Sequence, residues 1–168
     1  ISVNDQDVPY PQASVTDTDS AHVTEKKPEI EIMKTVHWGL HESCVVDGNK
    51  MVYSSHDDAA TYCYRVTNFG DTKLCDVKVT DNLAGGTYAM GIGDGTSGSD
   101  CLEPNEVKFA PPSKTTICPN GEDTLATVEG NPVDDADMDI PDLANVSDSD
   151  NAGVEPVTTG IKISKSVR

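Results

Sequence analysis

Aromatic side chains are scarce in this 168-residue chain, at 5% of residues, and basic residues are outnumbered, with 12 Lys and Arg against 29 Asp and Glu. The resulting formal charge of −17 repels a phosphate backbone and an anionic bilayer, so neither nucleic acid nor lipid is an expected partner. No apolar run approaches the roughly 18 residues that span a bilayer, and no charged-then-apolar leader opens the chain, so membrane insertion is not expected. The sequence lacks G-x-S-x-G, H-E-x-x-H and P-loop motifs and has no C-x-x-C pair. Without them there are no catalytic or cofactor-binding residues to name, and an enzyme, a zinc ribbon and a dithiol redox site are not expected. The hydrophobic share, 36%, is low for a globular domain, so the core should be thin and built from Val, Ile and Thr.

What the sequence does contain is a repeat. Residues 13–37 laid over 144–168 without a gap give ten identities in 25 pairs, where chance gives about one or two. The matches are Ala13/Ala144, Val15/Val146, Asp17/Asp148, Asp19/Asp150, Ala21/Ala152, Val23/Val154, Ile30/Ile161, Ile32/Ile163, Lys34/Lys165 and Val36/Val167. Residues 1–27 therefore read as the tail of a preceding repeat, 28–158 as one full repeat, and 159–168 as the first strand of the next. With Ile1 in place of an initiator Met, the chain is expected to be a processed product or a portion of something longer.

Period-2 alternation marks Glu29 to Val36 and Ala60 to Thr67 as half-buried strands, the second with Tyr62, Tyr64 and Val66 on one face. Asn68-Phe69-Gly70-Asp71 supplies turn chemistry, and Leu74 to Thr80 follows with Val77 and Val79 toward the core. These two strands should form a hairpin or an inter-sheet corner. Val45-Val46, Met51 to Ser54, Glu106 to Phe109, Thr115 to Cys118, Leu125 to Glu129 and Asn145 to Ser147 are further candidate strands, and Gly85 to Asp100 reads as a long loop. No stretch has a helical period. The predicted fold is an all-β, immunoglobulin-like antiparallel β-sandwich with an extended N-terminal segment.

Three stretches carry a family resemblance: Ile30-Glu31-Ile32-Met33-Lys34-Thr35-Val36, Thr61 to Asp71, and Ala126 to Pro132 continuing through Asp139-Ile140-Pro141 to Asp150. With them the chain resembles the Ig-like conserved surface repeat called domain of unknown function eleven, found in large bacterial, algal and protist extracellular proteins. The resemblance implies a sandwich strung in tandem within a stalk, sheath or fibre, and it brings no catalytic residues.

In a thin-cored secreted domain the five cysteines read as disulfides. The preferred pairing is Cys44–Cys63 and Cys101–Cys118, leaving Cys75 either as a buried free thiol or in an intermolecular bridge. Asn145-Val146-Ser147 is the one N-glycosylation sequon, so covalent glycan is expected at Asn145 in a secreted protein. His37 and His41 share the i, i+4 spacing of a helical metal site, but Gly39 and the flanking strand argue against the helix, and no metal ligand is assigned. Gly91-Ile92-Gly93-Asp94-Gly95 lacks the spacing of a nucleotide loop and reads as a flexible turn. Asp134, Asp135, Asp137 and Asp139, with Asp17/Asp19 and Asp148/Asp150, have the oxygen chemistry of calcium ligands; the preferred reading is a solvated acidic loop, and no cofactor is expected.

The functional expectation is a non-enzymatic structural subunit or tandem module of an extracellular filament or surface fibre. Its partners should be other copies of itself, joined head to tail by strand or linker exchange through Val15, Val23, Ile30, Ile32, Ile161 and Ile163. The alternative is an adhesin or carbohydrate-binding Ig-like module of a surface protein.

Overall fold

Alternation along two strands decides where the core lies. In strand β1 (Ile30–Trp38) residues Ile30, Ile32 and Val36 point inward, and in β3 (Ala59–Asn68) Tyr62, Tyr64 and Val66 are fully buried. The computed structural model describes residues 16–21, 24–44, 48–54, 58–83, 86–92, 100–116, 121–157 and 165. Among them there is no helix, and two sheets face each other as a β-sandwich. One sheet has the order β1-β3-β6, with β6 spanning Val107–Thr116. The other has the order β2-β8-β7-β4-β5, from β2 (Met51–Ser54), β8 (Val146–Pro156), β7 (Glu122–Val133), β4 (Lys73–Leu83) and β5 (Gly86–Gly91). Val77 and Val79 of β4, Ala126 and Val128 of β7, and Ala152 and Val154 of β8 form one core with the inward residues of β1 and β3. Burying a Val or Tyr side chain in this layer stabilises the fold by about 1.5–3 kcal/mol.

The passage from β3 to β4 is an inter-sheet corner, made by a buried asparagine. The Asn68 side chain donates to the carbonyls of Thr72 (2.8 Å) and Leu102 (3.1 Å) and accepts from the Gly70 amide (3.0 Å). Gly70 is required there by close approach, since a Cβ would lie 2.5 Å from the Glu29 nitrogen and 2.6 Å from the Lys27 carbonyl oxygen. The same turn holds the incoming chain: the Lys27 amide donates to Asp71 Oδ1 at 2.7 Å, and Lys26 Nζ donates to the Asp71 carbonyl at 3.3 Å. The sandwich thus reaches two residues upstream of the expected boundary at 28. Residues 16–21 are exposed and lie in no strand.

Several expectations are corrected. The separate strands expected from Glu106 and from Thr115 are parts of the single strand β6, which runs through Pro111 and Pro112 to Thr116; Ile117 and Cys118 lie outside the described residues. Proline is tolerated because β6 is an edge strand and the ladder to β3 shifts register between Tyr62 and Tyr64. The stretch expected to be a loop from Gly85 contains β5, paired with the second half of β4. The sandwich is not wholly antiparallel, because β2 runs parallel to β8. Val45 and Val46, proposed as a strand, lie outside the described residues.

Of the expected disulfides, Cys44–Cys63 forms, with Cα atoms 5.4 Å apart. The second bond is Cys75–Cys101, not Cys101–Cys118, so Cys75 is neither a free thiol nor an intermolecular bridge. The reason is local pairing that the sequence does not display. Leu74 and Leu102 exchange two backbone hydrogen bonds, at 3.0 and 2.7 Å, which sets Cys75 directly opposite Cys101 at a Cα separation of 4.0 Å. Cys118 lies outside the described residues. Two disulfides point to an oxidising, extracellular compartment. Among the described residues, no helix is long and apolar enough to cross a membrane.

Candidate functional site

Two polar constructions stand out from the apolar core. The first lies inside it. Lys34 occupies the inward parity of β1 between Ile32 and Val36, and Asp81 occupies the inward parity of β4 beyond Val77 and Val79; both side chains are 0% exposed. Lys34 Nζ lies 2.9 Å from Asp81 Oδ1 and 2.8 Å from Oδ2. It also donates to the Thr124 carbonyl at 2.8 Å and to Thr124 Oγ1, and sits 4.5 Å from the centre of the Tyr62 ring. The Tyr64 hydroxyl donates to Asp81 Oδ2 at 2.5 Å. Burial pulls the Lys34 ammonium below its ordinary value, and Asp81 opposes that pull. Burial pushes the phenols of Tyr62 and Tyr64 upward, so Tyr64 remains a hydrogen-bond donor. Sequence reasoning missed this cluster. Its signal was a polar residue on the apolar parity of each strand, Lys34 in β1, Asp81 in β4 and Thr124 in β7.

The second construction is at the free edge of β1, which would otherwise expose a row of unpaired amides. Asp148 and Asp150 of β8 alternate with outward residues and aim their carboxylates at that edge. Asp148 Oδ2 accepts from the Ile32 amide at 3.0 Å and Asp150 Oδ2 from the Lys34 amide at 2.7 Å. The next amide, Val36, is taken by the Asn49 carbonyl at 2.8 Å. Lys50 pairs with Asp150 and donates to the Lys34 carbonyl at 2.9 Å. The result is an acid clasp that joins the last strand of the repeat to its first.

Among the described residues, the remaining candidates do not gather at one site. Ile30 and Ile32, expected at an assembly surface, are buried in the chain's own core. Val15, Val23, Ile161 and Ile163 lie outside the described residues, whereas Asp17 and Asp19 are exposed. Asn145 is exposed at the start of β8, beside a shallow polar cleft lined by Asp76, Lys78, Glu129, Asn131 and Asp139. His37 and His41 have ring centres 5.6 Å apart, with His41 bonded to the Trp38 carbonyl; burial, then the neighbouring His41, holds His37 below its ordinary range. Of the acids considered for calcium, Asp137 pairs with Lys73 at 2.7 Å, Asp139 accepts from Asn131, and Asp134 accepts from the amides of Ala136 and Met138. Cys75, Cys101 and Asp137 come together, but both sulfurs are spent in the disulfide. Gly93, Asp94 and Gly95 lie outside the described residues. Among the described residues the exposed aromatics are dispersed along the chain: Trp38 ends β1, Tyr53 is in β2, Phe69 is in the corner and Phe109 is in β6.

No protein-family model and no curated protein sequence matches the chain.

Proposed function

We propose that the chain is a structural module of an extracellular filament or surface fibre, of the Ig-like repeat family it resembles, that joins copies of itself head to tail. The observation that carries this reading is the acid clasp taken together with the repeat. Asp148 and Asp150 hold the amides of Ile32 and Lys34 in the home domain. Both halves recur outside it: Asp17 and Asp19 repeat the acids, and Ile163 and Lys165 repeat the strand they hold. The home clasp is already filled, so the spare acids suit the spare strand of a neighbouring copy. Contacts of this head-to-tail kind do not close and therefore extend into fibres. The exposure of Asp17 and Asp19 leaves them available for the exchange, and the exposed sequon at Asn145 suits a glycan on a secreted fibre.

Deleting residues 1–27, or changing Asp17→Ala with Asp19→Ala, should abolish self-association in sedimentation and electron microscopy while circular dichroism reports an intact sandwich. Fibres of unchanged order from both variants would sink the reading. A peptide map of secreted material should find Asn145 glycosylated.

A further inference from the structure

Lys34 and Asp81 come from opposite sheets, are completely buried, and place an amine nitrogen 2.9 and 2.8 Å from the two oxygens of one carboxyl group. An ion pair in such a place is a poor way to stabilise a core, because desolvation offsets the attraction and apolar residues of similar volume do as well or better. The same geometry is a good arrangement for condensation. Fixing two reactants in contact is worth an effective concentration of roughly 10⁵–10⁸ M, and a dry interior removes the water that would reverse the reaction.

We propose that Lys34 and Asp81 join after folding in an intrachain amide between Nζ and Cγ, a covalent tie between β1 of one sheet and β4 of the other. Each step uses groups already in place. The ammonium passes one proton to Oδ1, leaving a neutral amine and a neutral acid, the form a low-dielectric interior favours. Burial, which lowers the Lys34 value, acts in the same direction. The Thr124 carbonyl and hydroxyl accept hydrogens from Nζ and steer its lone pair to Cγ. As the carbon–nitrogen bond forms, negative charge collects on Oδ2, where the Tyr64 hydroxyl donates at 2.5 Å. Nζ then gives a second proton to Oδ1, the Cγ–Oδ1 bond breaks, and water leaves. Oδ2 becomes the amide carbonyl, Nζ keeps one hydrogen, and no net charge remains in the core. No metal, oxidant or activated donor enters the balance. Tyr64 and Thr124 are the positioning residues of this reaction, and the tie stands apart from the head-to-tail contact.

The test is the mass of the wild-type chain, produced in a bacterial periplasm and then fully reduced and denatured. It should be one water lighter than its sequence requires, and tandem mass spectrometry should find a branched peptide joining the segment around Lys34 to that around Asp81. Lys34→Arg and Asp81→Ala should each restore the full mass. Tyr64→Phe should slow the loss of water from newly synthesised chain, followed by intact mass after a synthesis pulse, by roughly a hundredfold. A full-mass wild-type chain with separate linear peptides carrying Lys34 and Asp81 overturns the proposal. So does a lighter chain whose lost water maps to an aspartyl succinimide elsewhere.

Discussion

Removing the acid clasp measures what holds the first and last strands of the repeat together. In Asp148→Ala the Ile32 amide loses an acceptor at 3.0 Å, and in Asp150→Ala the Lys34 amide loses one at 2.7 Å. Both amides lie in a part-buried seam where water is a poor substitute, and a hydrogen bond to a charged acceptor contributes about 1.5–3 kcal/mol. Each single change should therefore cost about 2 kcal/mol. The pair should cost roughly 3–4 kcal/mol, less than twice a single change where one loosened amide lets its neighbour relax. Breaking the Lys50–Asp150 ion pair adds little, because the Lys50 side chain is 54% exposed. For a domain of this size each kcal/mol should move the thermal midpoint by about 3–5 °C. Urea unfolding of the monomer with both disulfides intact is the assay, with the m-value checked for constancy. Asparagine at either position keeps a neutral acceptor and should recover about half of the loss. Asp17→Ala with Asp19→Ala should leave monomer unfolding within about 0.5 kcal/mol of wild type, since these acids are exposed. If the Asp148→Ala/Asp150→Ala double variant unfolds within about 0.5 kcal/mol of wild type, on the same scale of surface effects, the clasp is decorative and the assembly argument built on its copies fails.

Three further outcomes test other parts of the structure. Cys101→Ser should lower stability by about 3 kcal/mol through release of the loop closed with Cys75, and a non-reducing peptide map recovering Cys101–Cys118 would refute that pairing. The Lys27 amide, then the Thr72 hydroxyl, hold the Asp71 carboxyl below its ordinary value of 3.8. A depressed acid contributes its stability above the unfolded value and loses it as pH falls through the folded one. Cleavage near Lys27 by an acid protease should thus accelerate only below pH 3.8, and equal rates on both sides would contradict the anchor. Gly70→Ala must displace the Lys27 and Glu29 backbone from a Cβ 2.5–2.6 Å away and should cost about 1–3 kcal/mol in urea unfolding; a neutral result would place that backbone elsewhere.

Side-chain alternation is a local property, so the amino-acid sequence alone determined the all-β class, the inward face of β3, the inward Val77 and Val79, and the turn at Asn68 to Asp71. It marked β1 as half-buried but left Ile30 and Ile32 to an assembly surface, whereas the stacked sheets bury them. The repeat was likewise complete in the sequence, including the paired acids and the strand they hold. Lys34 shares the inward parity of Ile32 and Val36, and Asp81 that of Val77 and Val79, but alternation names a face and never a partner. That the two meet, across 47 residues and from opposite sheets, follows only from how the sheets stack. Tertiary pairing likewise decided which cysteines bond, because the backbone bridge between Leu74 and Leu102 sets Cys75 against Cys101 and no spacing rule encodes that bridge. It decided that Pro111 and Pro112 continue a strand, since an edge can spare the amides a central strand cannot. It also turned Asp148 and Asp150 from solvated acids into caps on a strand edge, because a carboxylate's role depends on which unpaired amide lies within 3.0 Å of it.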